Sequence, residues 1–169
     1  MTRRAIRRAW GLGGIAALVL AVPIGSAAGA PSAPNDPFWP QQWNMAQIGG
    51  PSAWAVSTGQ GVRIGIVDTG VDLGHQDLAG KVVDNTSCIN SGGDPSKCSG
   101  SAQDDNGHGT HVSGIAAADT NNGVGVAGAA PQAQLVVAKV LDSNGSGSFS
   151  DVNGGIKWVV DHGAKVVSG

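Results

Sequence analysis

The sequence predicts an α/β domain built on an open, mostly parallel sheet. Two runs, Val62–Gly70 (VRIGIVDTG) and Gln134–Leu141 (QLVVAKVL), are too short for helices and too uniformly apolar for strands with one wet face. Helical patterns separate them and follow them, and a third apolar run opens at Lys165–Val167. Strand, helix, strand, helix, strand is the order of such a sheet, in which ligands bind beyond the carboxyl ends of the strands. The 28 glycines, far above a usual share of ~7%, have no Gly-X-Y period, and with 41% hydrophobic residues they signal tight turns in a packed core.

Met1–Arg8 carries Arg3, Arg4, Arg7 and Arg8, Trp10–Ile24 is apolar, and SAAGA supplies small residues. This is the order of a secretory signal, with cleavage expected between Ala27 and Ala33; the apolar run is short for a membrane span. The paired arginines loosely match a twin-arginine export signal. Segment 1–30 is therefore assigned as signal peptide, 31–60 as an N-terminal arm and helix, and 61–169 as the main domain. Without the signal, six basic residues face twelve acidic ones, all aspartate, a net charge of about −6. Such a surface disfavours nucleic acid and anionic membranes as partners.

The proline-rich arm Pro31–Pro40 leads into a helix expected over Ala46–Val56. The first strand ends at Asp68. Asn85–Gly107 reads as a long polar loop, and the pair Cys88 and Cys98 within it, in an exported chain, is most simply a disulfide. His108–Ala118 reads as a helix packed through Val112 and Ile115. After the second strand, Ser143–Ser148 reads as a flexible loop. Asp151–His162 is a helix with Val152, Ile156, Trp158 and Val159 inward, while Trp39, Trp43 and Trp54 suit core or arm packing.

A buried strand ending in aspartate sets a carboxylate where it needs hydrogen-bonding partners or a positive charge. His108, entering a helix from glycines, can present its ring to Asp68, an arrangement that fixes the imidazole tautomer and stabilises the imidazolium. A metal-dependent hydrolase using His75, His108, His111 and nearby aspartates is the rival reading, but zincins need H-E-x-x-H and the chain has no glutamate. A non-catalytic secreted binding module is a third reading, disfavoured by the open edge of a half-sheet.

IVDTGVDLGHQDLAGKV and NGHGTHVSGIAAA resemble the aspartate and histidine motifs of the subtilisin-like serine proteases (subtilases, peptidase family S8), close to the thermitase branch. NDPFWPQQW, GVGVAGAAP, AKVLDSNGSGSFS and GIKWVVDHGAKVV extend the likeness over nearly all of Asn35–Val167. The resemblance implies a three-layer, mostly parallel subtilisin-like fold and a monomeric, secreted endopeptidase acting on protein or peptide substrates. By position, Asp68 is the triad aspartate, His108 the general base and His111 structural. Ser146, Gly147, Ser148 and Phe149 form the rim on which an extended peptide pairs, with Phe149 beside the pocket for the fourth residue upstream of the cut. Structural calcium is implied at Asp36, Asp77, Asn122 and the carbonyls of Asp119, Val124 and Val126.

One departure is large. The G-T-S-M-A type motif of the nucleophilic serine does not occur in the chain, nor does G-x-S-x-G, nor the oxyanion asparagine. Ser168 aligns near the start of the S-L-G segment lining the main specificity pocket. The expectation is an N-terminal half of a subtilase, truncated before the catalytic serine and inactive as it stands; a subtilase-derived binding module or gene remnant is the alternative.

Overall fold

The computed structural model describes residues 33–169; the signal-like segment lies outside the described residues. Four strands form one parallel sheet: β1 (Arg63–Asp68), β2 (Val82–Ser87), β3 (Gln134–Lys139) and β4 (Val166–Ser168), in the order β2-β3-β1-β4. Helices α1 (Trp43–Gln47) and α2 (Gly50–Trp54) precede the sheet, α3 (His108–Ala117) lies between β2 and β3, and α4 (Phe149–Asp161) between β3 and β4.

Side-chain alternation along the strands builds three layers. Ile66, Leu135 and Val137 point to one face and pack with Ala117, Ala118 and Val112 of the α3 region. Val67, Val136 and Ala138 point to the other and meet Trp158 and Val159 of α4. Both crossovers, β2 to β3 and β3 to β4, step the same way across the sheet, yet their helices cover opposite faces. The two crossovers therefore have opposite hands, so one breaks the usual right-handed rule.

The strand Val82–Ser87 falls partly inside the stretch expected as loop. Its VVDNTS sequence has one buried position, Thr86, because it is the edge strand and needs little apolar covering. The single helix expected at Ala46–Val56 is two short ones, since Gly49 takes φ 69° and Pro51 brings no N–H to bond back across the break. Trp43, Ile115 and Ile156 are more exposed than their helical patterns suggest, whereas Trp39 and Trp54 pack together at 5.8 Å.

The carboxyl end of the sheet carries Asp68, the aspartate singled out from the sequence. Asp68 and Lys139 pair side by side at the ends of β1 and β3. Immediately beyond, Gly70 (φ 112°) and Gly109 bring the chain after β1 against the first turn of α3, so closely that a Cβ on Gly109 would run into the Gly70 carbonyl oxygen. That approach is the reason for glycine in H-G-T-H, while in D-T-G the positive φ of Gly70 and the Ala102 carbonyl oxygen that its Cβ would strike are the reason.

Gly109→Ala should therefore destabilise the fold by roughly 1–3 kcal/mol through overpacking. Gly114→Ala, in the same helix with only Val126 near its Cβ position, should be neutral or stabilising by up to about 1 kcal/mol. Urea midpoints of the two variants give the comparison; equal effects would contradict the steric account.

Candidate active site

Asp68 is 5% exposed at the mouth of the sheet, and the Nδ1 atom of His108 lies 2.8 and 2.9 Å from its two carboxylate oxygens. The Thr69 amide donates to Asp68 Oδ1 at 2.6 Å, fixing the carboxylate from behind. With Nδ1 committed to the aspartate, the other ring nitrogen is left to face solvent on a side chain that is 62% exposed. The Asp68 hydrogen bond, and then its charge, raise the His108 pKa above the ordinary imidazole value. This pair can take up a proton at the exposed nitrogen and stabilise the resulting charge. Among the described residues, no serine hydroxyl hydrogen-bonds to the His108 ring.

A buried network holds the pair. The Thr69 hydroxyl donates to Asp104 at 2.9 Å and accepts from the Gly109 amide at 2.9 Å, tying the end of β1 to the start of α3. Asp104 also accepts from the amides of Asn106, Gly107 and Thr110 and from the Thr110 hydroxyl. Burial opposes its charge, but these bonds outweigh burial and hold its carboxyl well below the usual carboxylate range. Lys139, buried at the end of β3, donates to the carbonyls of Thr69 (2.6 Å) and Leu141 (2.8 Å) and to Asp105 (2.6 Å). Sequence reasoning singles out Asp68 and His108 but not Lys139; a lysine closing a run of buried apolar residues is the signal that could have found it.

His111 lies one turn on, exposed, and does not reach Asp68. It borders an apolar cavity of about 770 Å³ shared with Trp43, Leu78 and Ile115. The segment Ser146–Phe149 is exposed, with Phe149 at 92%. It is less loose than its composition suggests. The Asp142 amide donates to the Ser146 carbonyl (2.8 Å), and the Asp142 carboxylate accepts from the amides of Asn144 (2.9 Å) and Ser146 (3.0 Å). Those last bonds, Ser146 foremost, lower the Asp142 pKa. Asn106 adds a bond to the Ser143 carbonyl at 3.0 Å, linking the loop before His108 to this turn.

Asp36 and Asp77 are 2% and 1% exposed, and among the described residues neither carboxylate pairs with a lysine, arginine or histidine side chain. Asp36 accepts from the amides of Asn121 and Asn122; Asp77 accepts from the Val126 amide and the Asn122 side chain. Val124 donates its amide to the Asn122 side-chain oxygen, while the Asp119 carboxylate turns away to Lys81 at 2.6 Å. Two buried carboxylates from separate parts of the chain, both meeting the 121–126 loop, are a donor set suited to a hard cation. No cluster of three His, Cys, Asp or Glu side chains forms among the described residues. Cys88 and Cys98 are joined as a disulfide.

The subtilase family profile matches residues 59–169. Thermitase from Thermoactinomyces vulgaris is 46% identical over 136 residues, which are 80% of this chain and 46% of that protein. A thermophilic serine proteinase from Bacillus sp. (strain AK1) is 41% identical, covering 80% of this chain and 32% of that one. A solved protease structure from Pseudoalteromonas arctica PAMC 21717 superposes with a TM-score of 0.68 at 31% identity, over 80% of this chain and 50% of its own. The chain thus spans half or less of the length of these relatives.

In a pH titration followed by NMR, His108 should titrate above an ordinary imidazole, and Asp68→Asn should abolish the upward displacement. Because the folded pKa is raised, the pair's contribution to stability is complete below the unfolded imidazole value and is lost as pH rises through the folded one. An unchanged His108 titration in Asp68→Asn would break the assignment of cause.

Proposed function

The chain belongs to the subtilase family of serine proteases, and from that premise we propose that it carries the aspartate and general base of a secreted endopeptidase. The observation behind this reading is the two-point contact of His108 Nδ1 with a nearly buried Asp68 at the open edge of the sheet. In the complete reaction His108 removes the proton of a serine hydroxyl through its exposed nitrogen, and the serine oxygen attacks a peptide carbonyl. The imidazolium then protonates the leaving amine, and water releases the acyl-enzyme by the same route. Asp68 keeps the imidazole in the tautomer that accepts at the outer nitrogen. Ser146–Phe149 pairs with the extended substrate backbone, and Phe149 borders the pocket for an apolar residue upstream.

Such a triad needs a serine that none of the motifs in these 169 residues supplies. The proposal is therefore that this chain alone hydrolyses no peptide bonds. Export is the proposed role of residues 1–30. The basic, apolar and small-residue order of that segment, and the chain's likeness to relatives such as the minor extracellular protease Epr of Bacillus subtilis, support it. Among the described residues no helix is long and apolar enough to cross a membrane. Calcium is the proposed structural ion, held by Asp36, Asp77, Asn122 and the carbonyls of Asp119, Val124 and Val126. It would neutralise the two buried carboxylates and pin the N-terminal arm to the 119–126 loop.

Two measurements test this. Joined to a serine-bearing remainder from a relative, the chain should cleave a chromogenic peptide, and Asp68→Asn should lower kcat by about 10⁴-fold; cleavage surviving His108→Ala would sink the assignment. Calcium at about a hundredfold excess over its Kd should stabilise the fold by ~2.7 kcal/mol. Asp77→Ala should remove that response, and melting unchanged by a chelator would refute the calcium site.

A further inference from the structure

A second constellation lies beside the proposed peptide rim and is not used by the Asp68–His108 pair. The disulfide between Cys88 and Cys98 closes a loop whose base sits on the sheet, where the Cys88 amide donates to the Lys139 carbonyl and the Ser99 amide to the Ser87 carbonyl, both at 2.8 Å. Along the loop, Asn90 turns the chain at φ 65°, a left-handed conformation that asparagine tolerates better than most residues. Asp151 holds this turn. Its carboxylate, on a residue 7% exposed, accepts from the amides of Asn90 (3.1 Å) and Gly92 (3.0 Å) and from the Ser91 hydroxyl (3.2 Å). One turn further along α4, a Cβ on Gly154 would strike the Ser91 hydroxyl, so helix and loop are in direct contact.

Asp151 is also joined to the rim. Its own amide donates to the Ser148 hydroxyl at 3.0 Å, the cap that starts α4, and Ser148 and Phe149 are two of the four rim residues. Burial works against the Asp151 charge, but the bonds from Ser148, Gly92, Asn90 and Ser91 prevail and keep its carboxyl below the ordinary value. The residue is thus an ionised, buried bridge with the disulfide loop on its side chain and the rim on its backbone.

We propose that the disulfide-closed loop Cys88–Cys98 positions the peptide rim Ser146–Phe149, with Asp151 as the positioning residue. The loop thereby tunes recognition of an extended peptide bearing an apolar residue upstream of the cut. This rests on the reading of Ser146–Phe149 as a peptide-binding rim. The reason for the coupling is local. The fully packed anchors of α4, Trp158 and Val159, lie two turns away, and in the first turn only the half-buried Val152 packs on the same core, so the cap and the disulfide loop contribute to holding the start of the helix. Asp151→Asn keeps the volume but turns an NH₂ group toward groups that donate, leaving buried donors unpaired. Opening the disulfide instead frees the loop backbone and removes the partner of an intact Asp151.

The experiment is amide hydrogen exchange by NMR on the chain itself, in wild type, in Asp151→Asn, and in a Cys88→Ser, Cys98→Ser double variant. Each sample is then titrated with a blocked tetrapeptide carrying an N-terminal phenylalanine. Exchange at Ser146, Asp151 and Val152 should quicken about tenfold in both variants, while amides of β1, β3 and the end of α4 stay unchanged. Affinity for the tetrapeptide should fall by a similar factor, and a blocked dipeptide too short to reach Phe149 should bind equally to all three. Faster exchange confined to 89–97, or spread evenly over the chain, would overturn the coupling. So would a tetrapeptide affinity that does not change. If the wild-type chain shows no peptide-induced shift at Gly147, the rim reading falls, and the exchange data alone decide whether loop and rim are coupled.

Discussion

The close approach of two backbones, at Gly70 after β1 and Gly109 in the first turn of α3, is the constraint on which the rest of the molecule depends. Without side chains there, the carboxyl end of a buried strand and the amino end of a helix come near enough for single hydrogen bonds to span them. Thr69 makes that span by donating to Asp104 and accepting from Gly109. Asp104 then gathers the amides of the turn before α3, and the geometry of His108 follows from that of the turn. An imidazole carried on an unsupported loop could not hold two contacts near 2.8 Å with a carboxylate that is itself almost buried.

Around this contact the buried and half-buried charges are arranged so that each has partners. Asp68 is met by an amide and an imidazole, Asp104 by four donors besides Thr69, and Lys139 by two carbonyls and a carboxylate. Buried ions of this kind contribute little net stability compared with apolar packing, but removing one partner strands the other. Their value is positional: they fix which way the edge of the sheet presents its polar groups. Asp36 and Asp77, like Asp104 and Asp151, are met by amide or hydroxyl donors and by no cationic side chain among the described residues. What sets them apart is that both meet the same 121–126 loop and share Asn122, and that convergence is the physical argument for a cation there.

The same economy appears around the disulfide loop and the start of α4. Three aspartates, Asp94, Asp142 and Asp151, each organise a turn by accepting amides from residues close in the fold. In a chain without glutamate, the short aspartate side chain is the natural choice, because it reaches backbone N–H groups within a tight turn. The high glycine content has a related cause, as turns this tight bring backbones into contact.

The apolar runs around Ile66 and Val137 determined, by themselves, that a parallel sheet buried on both faces would form. The D-T-G and H-G-T-H motifs identified Asp68 and His108, because packing alone gives a buried element no use for a polar side chain beside glycine at its end. The paired cysteines were equally legible. The edge strand Val82–Ser87 was not, since a strand with one neighbour and a wet flank needs no apolar periodicity. Lys139, Asn106 and Asp151 were also hidden. Each acts through at least one partner 34 to 70 residues away along the chain, and no local pattern records a long-range hydrogen bond. Only the tertiary structure decided the hands of the two crossovers, since these depend on which face of the sheet each helix covers. Sequence periodicity states that a face is apolar; it does not state against what that face will pack.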